Sequence, residues 1–127
     1  MKTIPIEPST KGRILVVDDE PLNRELLRDL LELNGYTVLE ATDGLSALKM
    51  VDSGTCDVIL LDVRMPGISG YTCVAALRRL QPGLACAVMS GLDAGEVSEV
   101  LPDGVLWLSK PFTVADVRAL VGSLQAG

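Results

Sequence analysis

Histidine is absent from this chain. That excludes histidine-based acid/base catalysis, Ser-His-Asp and Cys-His nucleophilic mechanisms, and metal sites built on imidazole. Cysteine is scarce as well. Cys56, Cys73 and Cys86 are odd in number and widely spaced, and no Cys-x-x-Cys pair occurs, so neither a disulfide framework nor a zinc site is expected. The three thiols are expected to act as small buried apolar residues. Aromatic residues make up only 3%, which leaves Leu, Val, Ile and Ala to build the core. Basic residues number 11 against 17 acidic ones, and the net charge of −6 argues against direct nucleic-acid binding, which calls for a basic face. No run of ~18 or more apolar residues occurs, so no membrane span is expected. The opening segment, with Pro5 and Pro8, lacks the apolar core of a signal peptide, which makes a cytoplasmic location the expectation.

What is present suits a single folded domain. The chain has 127 residues, 48% of them apolar. That size fits one core, and that composition argues against disorder. Residues 1–11 read as an N-terminal arm or linker, and residues 12–125 as one domain.

Four short runs are continuously apolar or nearly so: Ile14–Val17, Val58–Leu61, Leu84–Met89 and Val105–Leu108. Such runs suit strands covered on both faces, as in parallel sheets. Tyr36–Glu40 reads as a shorter strand near an edge. Helical patterns alternate with these runs. Pro21 opens a helix carrying Leu22, Leu26, Leu27, Leu30 and Leu33, which stops at Asn34-Gly35. Asp43 caps a second helix with Leu45, Leu48 and Val51, ending near Gly54. Ser69 caps a third with Val74, Leu77 and Leu80, stopped by Pro82-Gly83. Leu92–Leu101 is the weakest segment, limited by Gly95 within it and the Pro102-Asp103-Gly104 turn after it, and the fourth helix is expected to be short or mobile. Thr113 and Asp116 form a capping-box-like start for a last helix with Val114, Val117, Leu120, Val121 and Leu124. The order is a strand and a helix repeated five times. It implies an α/β fold: a flavodoxin-like, doubly wound five-stranded parallel sheet of order 2-1-3-4-5.

The chemistry-bearing residues fall at the carboxyl ends of the strands, where open α/β sheets place their sites. Asp18 and Asp19 follow the first strand, Asp62 the third and Lys110 the fifth. Clustered carboxylates repel one another, and a hard divalent cation such as Mg²⁺ relieves that repulsion. Lys110 can reach in as a point charge toward phosphate. A carboxylate can also serve as a nucleophile and become an aspartyl phosphate. Asp62, alone at the end of its strand, is the best candidate, with the Met65-Pro66-Gly67 turn folding back behind it. Taken singly, each residue has a plainer reading: Asp18 and Asp19 as helix-capping charges, Asp62 as a turn former, Lys110 as a solvated lysine, and Glu20 as a first-turn charge.

Four segments resemble the receiver domain of two-component response regulators: ILVVDDE (14–20), LLDVRMPGISG (60–70), VMSG (88–91) and LSKPF (108–112). The likeness runs from Arg13 to Leu124, and four motifs in the right order make it specific. The resemblance implies that Asp62 accepts a phosphoryl group from a phosphohistidine on a sensor histidine kinase or histidine phosphotransfer protein. It implies that Asp19, Asp62 and the backbone carbonyl of Arg64 ligate Mg²⁺, with Asp18 acting through water, and that Lys110 contacts the phosphoryl group. Ser90 takes the switch hydroxyl position, Gly91 keeps access open, and the Lys110-Pro111 bond is expected to be cis. Trp107 stands where similar domains carry Tyr, Phe or His as the switch aromatic. A short fourth helix and the VMSG spelling also look like receivers of hybrid histidine kinases, with dimerisation and the downstream effector left open. The module is expected to catalyse only its own phosphorylation and dephosphorylation and not to be an enzyme on a separate substrate. Two alternatives stand beside it. One is a degenerate receiver that binds partners without phosphorylation. The other is a Mg²⁺-dependent phosphohydrolase with an aspartyl nucleophile, for which Arg64 occupies the position where an acid would be wanted.

Overall fold

The computed structural model describes residues 12–54, 56–62, 70–90 and 104–126, with side chains except at 70–72, 90, 109 and 124–126. The elements are β1 (Arg13–Val17), α1 (Pro21–Leu33), β2 (Thr37–Ala41), α2 (Gly44–Asp52), β3 (Val58–Asp62), α3 (Gly70–Leu80), β4 (Ala85–Ser90), β5 (Leu106–Ser109) and α4 (Val114–Ala126). The arm at 1–11, the Ser69 cap, the turn at Met65 and the helix expected within Leu92–Leu101 lie outside the described residues.

All strand pairings are parallel, and the order is β2-β1-β3-β4-β5, as expected. β1 and β3 are neighbours although β2 separates them in sequence. From β1 the chain winds outward one way to β2, then returns and winds the other way through β3, β4 and β5. The reversal opens a crevice beyond the ends of β1 and β3.

Strand alternation splits the core into two layers. Leu15, Val17, Ile59, Leu61, Cys86 and Val88 face one side with Ala47, Val51, Cys73, Val74 and Leu77 of α2 and α3. Ile14, Val16, Leu60, Ala87 and Met89 face the other with Leu27 and Leu31 of α1 and Val117, Leu120 and Val121 of α4. All three cysteines are buried and free, as expected.

Local signals explain the element ends. Asp43 caps α2, its Oδ1 accepting from the Ser46 N–H at 2.7 Å. Thr113 and Asp116 cap α4 reciprocally: the Thr113 N–H donates to Asp116 Oδ2 at 2.8 Å and the Asp116 N–H to Thr113 Oγ1 at 3.1 Å. Gly35, just beyond α1, sits at φ 95°, where a residue with a Cβ is disfavoured.

The leucine stripes are less uniformly buried than their spacing suggests. Leu27 and Leu31 carry the contact of α1, while Leu22 and Leu33 are 72% and 84% exposed. Each residue turns about 100° around a helix, so Leu22 and Leu33 point well away from the Leu27–Leu31 line. Leu26, Leu45, Leu80 and Val114 are exposed too. Leu22, Leu26 and Leu33 form one stripe and Leu27 and Leu31 another, and only the second packs into the core.

Candidate functional site: an acidic pocket bridged by a lysine

The crevice between β1 and β3 gathers four of the residues that the sequence singled out, Asp18, Asp19, Asp62 and Lys110. β1 runs apolar into the core and ends at Val17, so the next residue, Asp18, emerges at the sheet's carboxyl edge. Its N–H extends the β1–β2 ladder by donating to the Ala41 carbonyl at 3.2 Å. Its side chain is fully buried. Asp18 Oδ1 accepts from the Glu20 N–H at 2.9 Å, closing a tight turn ahead of α1, and Oδ2 accepts from Lys110 Nζ at 3.2 Å. Asp62 is the last residue of β3 and is buried. Its Oδ2 accepts from the same ammonium at 2.7 Å. Asp19 is exposed at the rim. Asp18, Asp19 and Asp62 each offer a carboxylate oxygen within 4.8 Å of the others.

Lys110 thus bridges two buried carboxylates from strands that are neighbours in the sheet. Burial pushes the Asp18 carboxyl above its ordinary value, and the nearby Asp62 charge adds to that. The Glu20 N–H and the Lys110 ammonium act against the rise without cancelling it. For Lys110, burial alone would lower the pKa. The hydrogen bond to Asp62 and the charges of Asp18 and Asp62 outweigh it, and the ammonium is held above its usual value.

The donor set fits a hard divalent cation. Three carboxylates and one ammonium carry a formal charge of minus two, and every candidate ligand atom is oxygen, as Mg²⁺ and Ca²⁺ prefer.

Lys110-Pro111 is cis, as expected. Ser90 ends β4, in register with Ser109 of β5, and its side chain lies outside the described residues. Trp107 sits on β5 opposite Val88, partly buried against the layer that holds Cys86 and Val88. Arg64 and Gly91 lie outside the described residues. Glu20 occupies the N-cap of α1 without capping through its side chain, which instead accepts from Asn23 Nδ2 at 3.4 Å.

One residue beside the pocket went unnoticed in the sequence. Arg24, in α1, donates from Nη1 to the Asp18 carbonyl at 2.8 Å and from Nε to Glu40 Oε1 of β2 at 3.2 Å. Asp18 lies six residues earlier, ahead of α1, and Glu40 comes near only through the β1–β2 pairing. Nothing local in the sequence marks it.

A sheet of this order with an acid pair after β1, an acid ending β3 and a lysine after β5 describes a phosphoryl-handling signalling module. The response regulator receiver domain family matches residues 14–122. Response regulator MprA of Mycobacterium ulcerans is 38% identical over 122 residues, covering 88% of this chain and 49% of that protein. Sensor histidine kinase RcsC of Salmonella typhimurium is 41% identical over 106 residues, covering 80% of this chain and 11% of that protein. Among solved structures, the receiver domain of hybrid histidine kinase CckA is 35% identical with a TM-score of 0.75, covering 89% of this chain and 98% of that one. A response regulator receiver protein from Sinorhizobium medicae gives a TM-score of 0.82 at 26% identity, over 91% of this chain and 94% of that one. The chain belongs to the response regulator receiver domain family of two-component signal transduction. It spans about half of the first of these curated relatives and about a tenth of the second.

Proposed function

We propose that this domain is a phospho-accepting switch in which Asp62 takes a phosphoryl group from the phosphohistidine of a sensor histidine kinase or phosphotransfer protein. The observation that carries this reading is the Lys110 bridge, 2.7 Å from Asp62 and 3.2 Å from Asp18. In the transfer, a carboxylate oxygen of Asp62 forms a bond to phosphorus as the phosphorus–nitrogen bond to the donor imidazole breaks. The imidazole leaves with a proton. Lys110 then has an anionic oxygen to hold in place of a bare carboxylate, so its charge stays matched as the group arrives. Asp18, Asp19, Asp62 and the Arg64 carbonyl are the groups that would hold Mg²⁺, the cation supplying charge neutralisation to the phosphoryl oxygens. Ser90 is the hydroxyl that would turn toward the phosphoryl group, and Trp107 the aromatic that would follow it.

The activity is directed at the domain's own Asp62, not at a separate metabolite, and a cytoplasmic site of action fits that chemistry. Among the described residues, no helix is long and apolar enough to cross a membrane.

The test is intact mass after incubation with Mg²⁺ and acetyl phosphate or phosphoramidate. A single adduct of about 80 Da, absent in Asp62→Asn and without Mg²⁺, is expected. A folded protein that acquires no adduct would be a phosphorylation-independent binding module. Continuous turnover of a phosphomonoester with no accumulated adduct would make it a hydrolase.

A further inference from the structure

We infer that Arg24 is a positioning residue that holds the Asp18-Asp19 turn in the geometry a divalent cation needs. The inference rests on the metal reading of the pocket given above. The turn between β1 and α1 is short, and Arg24 grips it twice. Its backbone N–H donates to the Glu20 carbonyl at 3.2 Å, the hydrogen bond that starts α1. Its guanidinium donates to the Asp18 carbonyl at 2.8 Å. One residue thus fixes both ends of the Asp18-Asp19-Glu20 segment.

The grip is anchored to the sheet. Arg24 Nε is 3.2 Å from Glu40 Oε1, and the Arg24 side chain is only 16% exposed. Glu40 lies on β2 in register with Val16 of β1, two residues before Asp18. Its other oxygen accepts from Arg28 Nη1 at 2.8 Å. The guanidinium therefore spans a carboxylate on one strand and a carbonyl at the end of the next. A planar fork can donate in two directions at once. A lysine ammonium on its flexible stem does not reproduce that arrangement.

The Asp18 carbonyl belongs to the peptide plane leading into Asp19. Fixing that plane sets the direction in which the exposed Asp19 carboxylate leaves the backbone. Asp18 is fixed separately through Glu20 and Lys110. Among the described residues the Asp19 carboxylate has no hydrogen-bond or ion-pair partner, so its aim follows the backbone that Arg24 constrains.

Sign separates this role from simple electrostatics. Arg24 is a cation beside an acidic pocket. If its charge were all that mattered, Arg24→Ala would bind Mg²⁺ more tightly. A positioning role predicts the reverse. Groups that orient metal ligands typically contribute about 10–100-fold to affinity.

The experiment measures Mg²⁺ affinity by isothermal titration calorimetry for the intact chain and for Arg24→Ala, Arg24→Lys, Glu40→Gln and Arg28→Ala. Metal-free melting temperatures and circular dichroism establish that each is folded. The expected result is affinity about tenfold weaker or more in Arg24→Ala, also weakened in the charge-preserving Arg24→Lys, and weakened less in Glu40→Gln. Arg28→Ala, which leaves the contact with Asp18 intact, should bind as the parent does or slightly tighter. If Arg24→Ala does not fold, Arg24→Lys decides the matter. Unchanged or tighter binding in the folded Arg24 variants overturns the positioning role while leaving the metal site standing. Absence of Mg²⁺ binding by the parent chain overturns the metal reading itself, and the role of Arg24 with it.

Discussion

At the scale of single residues, the three thiols and the lone tryptophan are the most accessible to measurement. Burial pushes the Cys56 and Cys73 thiols up to about 11, and Cys86 is raised for the same reason. A thiol must ionise to react, so at neutral pH these three should resist alkylation in the folded protein. Intact mass after iodoacetamide should show little modification natively and three additions in denaturant. Rapid native labelling of any one would mean that its layer of the core opens readily. Trp107 is the only tryptophan in the chain, so emission reports on one site. If it follows Ser90 on phosphorylation, its emission should shift with acetyl phosphate and Mg²⁺ in the parent and not in Asp62→Asn. A phosphorylated protein with unchanged emission would make Trp107 a packing residue that takes no part in the switch.

At the scale of elements, the strand starts are pinned by charge. The Arg13 N–H donates to Asp57 Oδ2 at 2.8 Å, the guanidinium lies 3.5 Å from the same oxygen, and the Asp57 N–H returns a bond to the Arg13 carbonyl at 2.9 Å. The Arg13 N–H holds the Asp57 carboxyl below its usual value; partial burial opposes this, and the Arg13 guanidinium assists. A carboxyl whose pKa is lower folded than unfolded stabilises the fold above the ordinary carboxylate value. That contribution disappears as pH falls through the lowered value. Asp57→Asn should therefore be less stable than the parent at neutral pH, with the gap narrowing toward acid. Urea midpoints across that range check it, and a gap independent of pH would remove the charge from the explanation.

Much of this layer was legible beforehand. The apolar runs marked the strands because buried parallel strands have no solvent face to vary. Asp43 and the Thr113/Asp116 pair marked helix starts because capping is local. Asp18, Asp62 and Lys110 stood out because a charge closing an apolar run marks the carboxyl end of a strand, where open α/β sheets place their sites. Which leucine stripe of α1 meets the sheet was not legible: Leu22 and Leu33 share a helical stripe and lie in solvent, while Leu27 and Leu31 are buried. Nor was Arg24, since its partner Glu40 is set by strand register and not by any spacing along the chain.

At the scale of the whole molecule, the sheet lies between two apolar layers that it shares with the helices. Leu60, on the central strand, is fully buried in the layer shared with α1 and α4. Leu60→Ala should cost about 2–5 kcal/mol through lost burial and the cavity left behind. Leu22→Ala, at a site already in solvent, should fall within about 0.5 kcal/mol of the parent. Denaturant unfolding of the two variants tests that contrast. Equal losses would mean that α1 packs differently from its Leu27–Leu31 contact.

The lysine bridge also has a consequence for how the protein is made. Lys110 and Asp18 are 92 residues apart in sequence, and Lys110 and Asp62 are 48 apart. A ribosome synthesises the acids long before the ammonium that joins them. Until the fifth strand docks, a nascent chain holds its carboxylates with no cation of its own between them. On the reading proposed above, the pocket is complete only after that strand is made, and a chain truncated before it is expected to acquire no phosphoryl adduct.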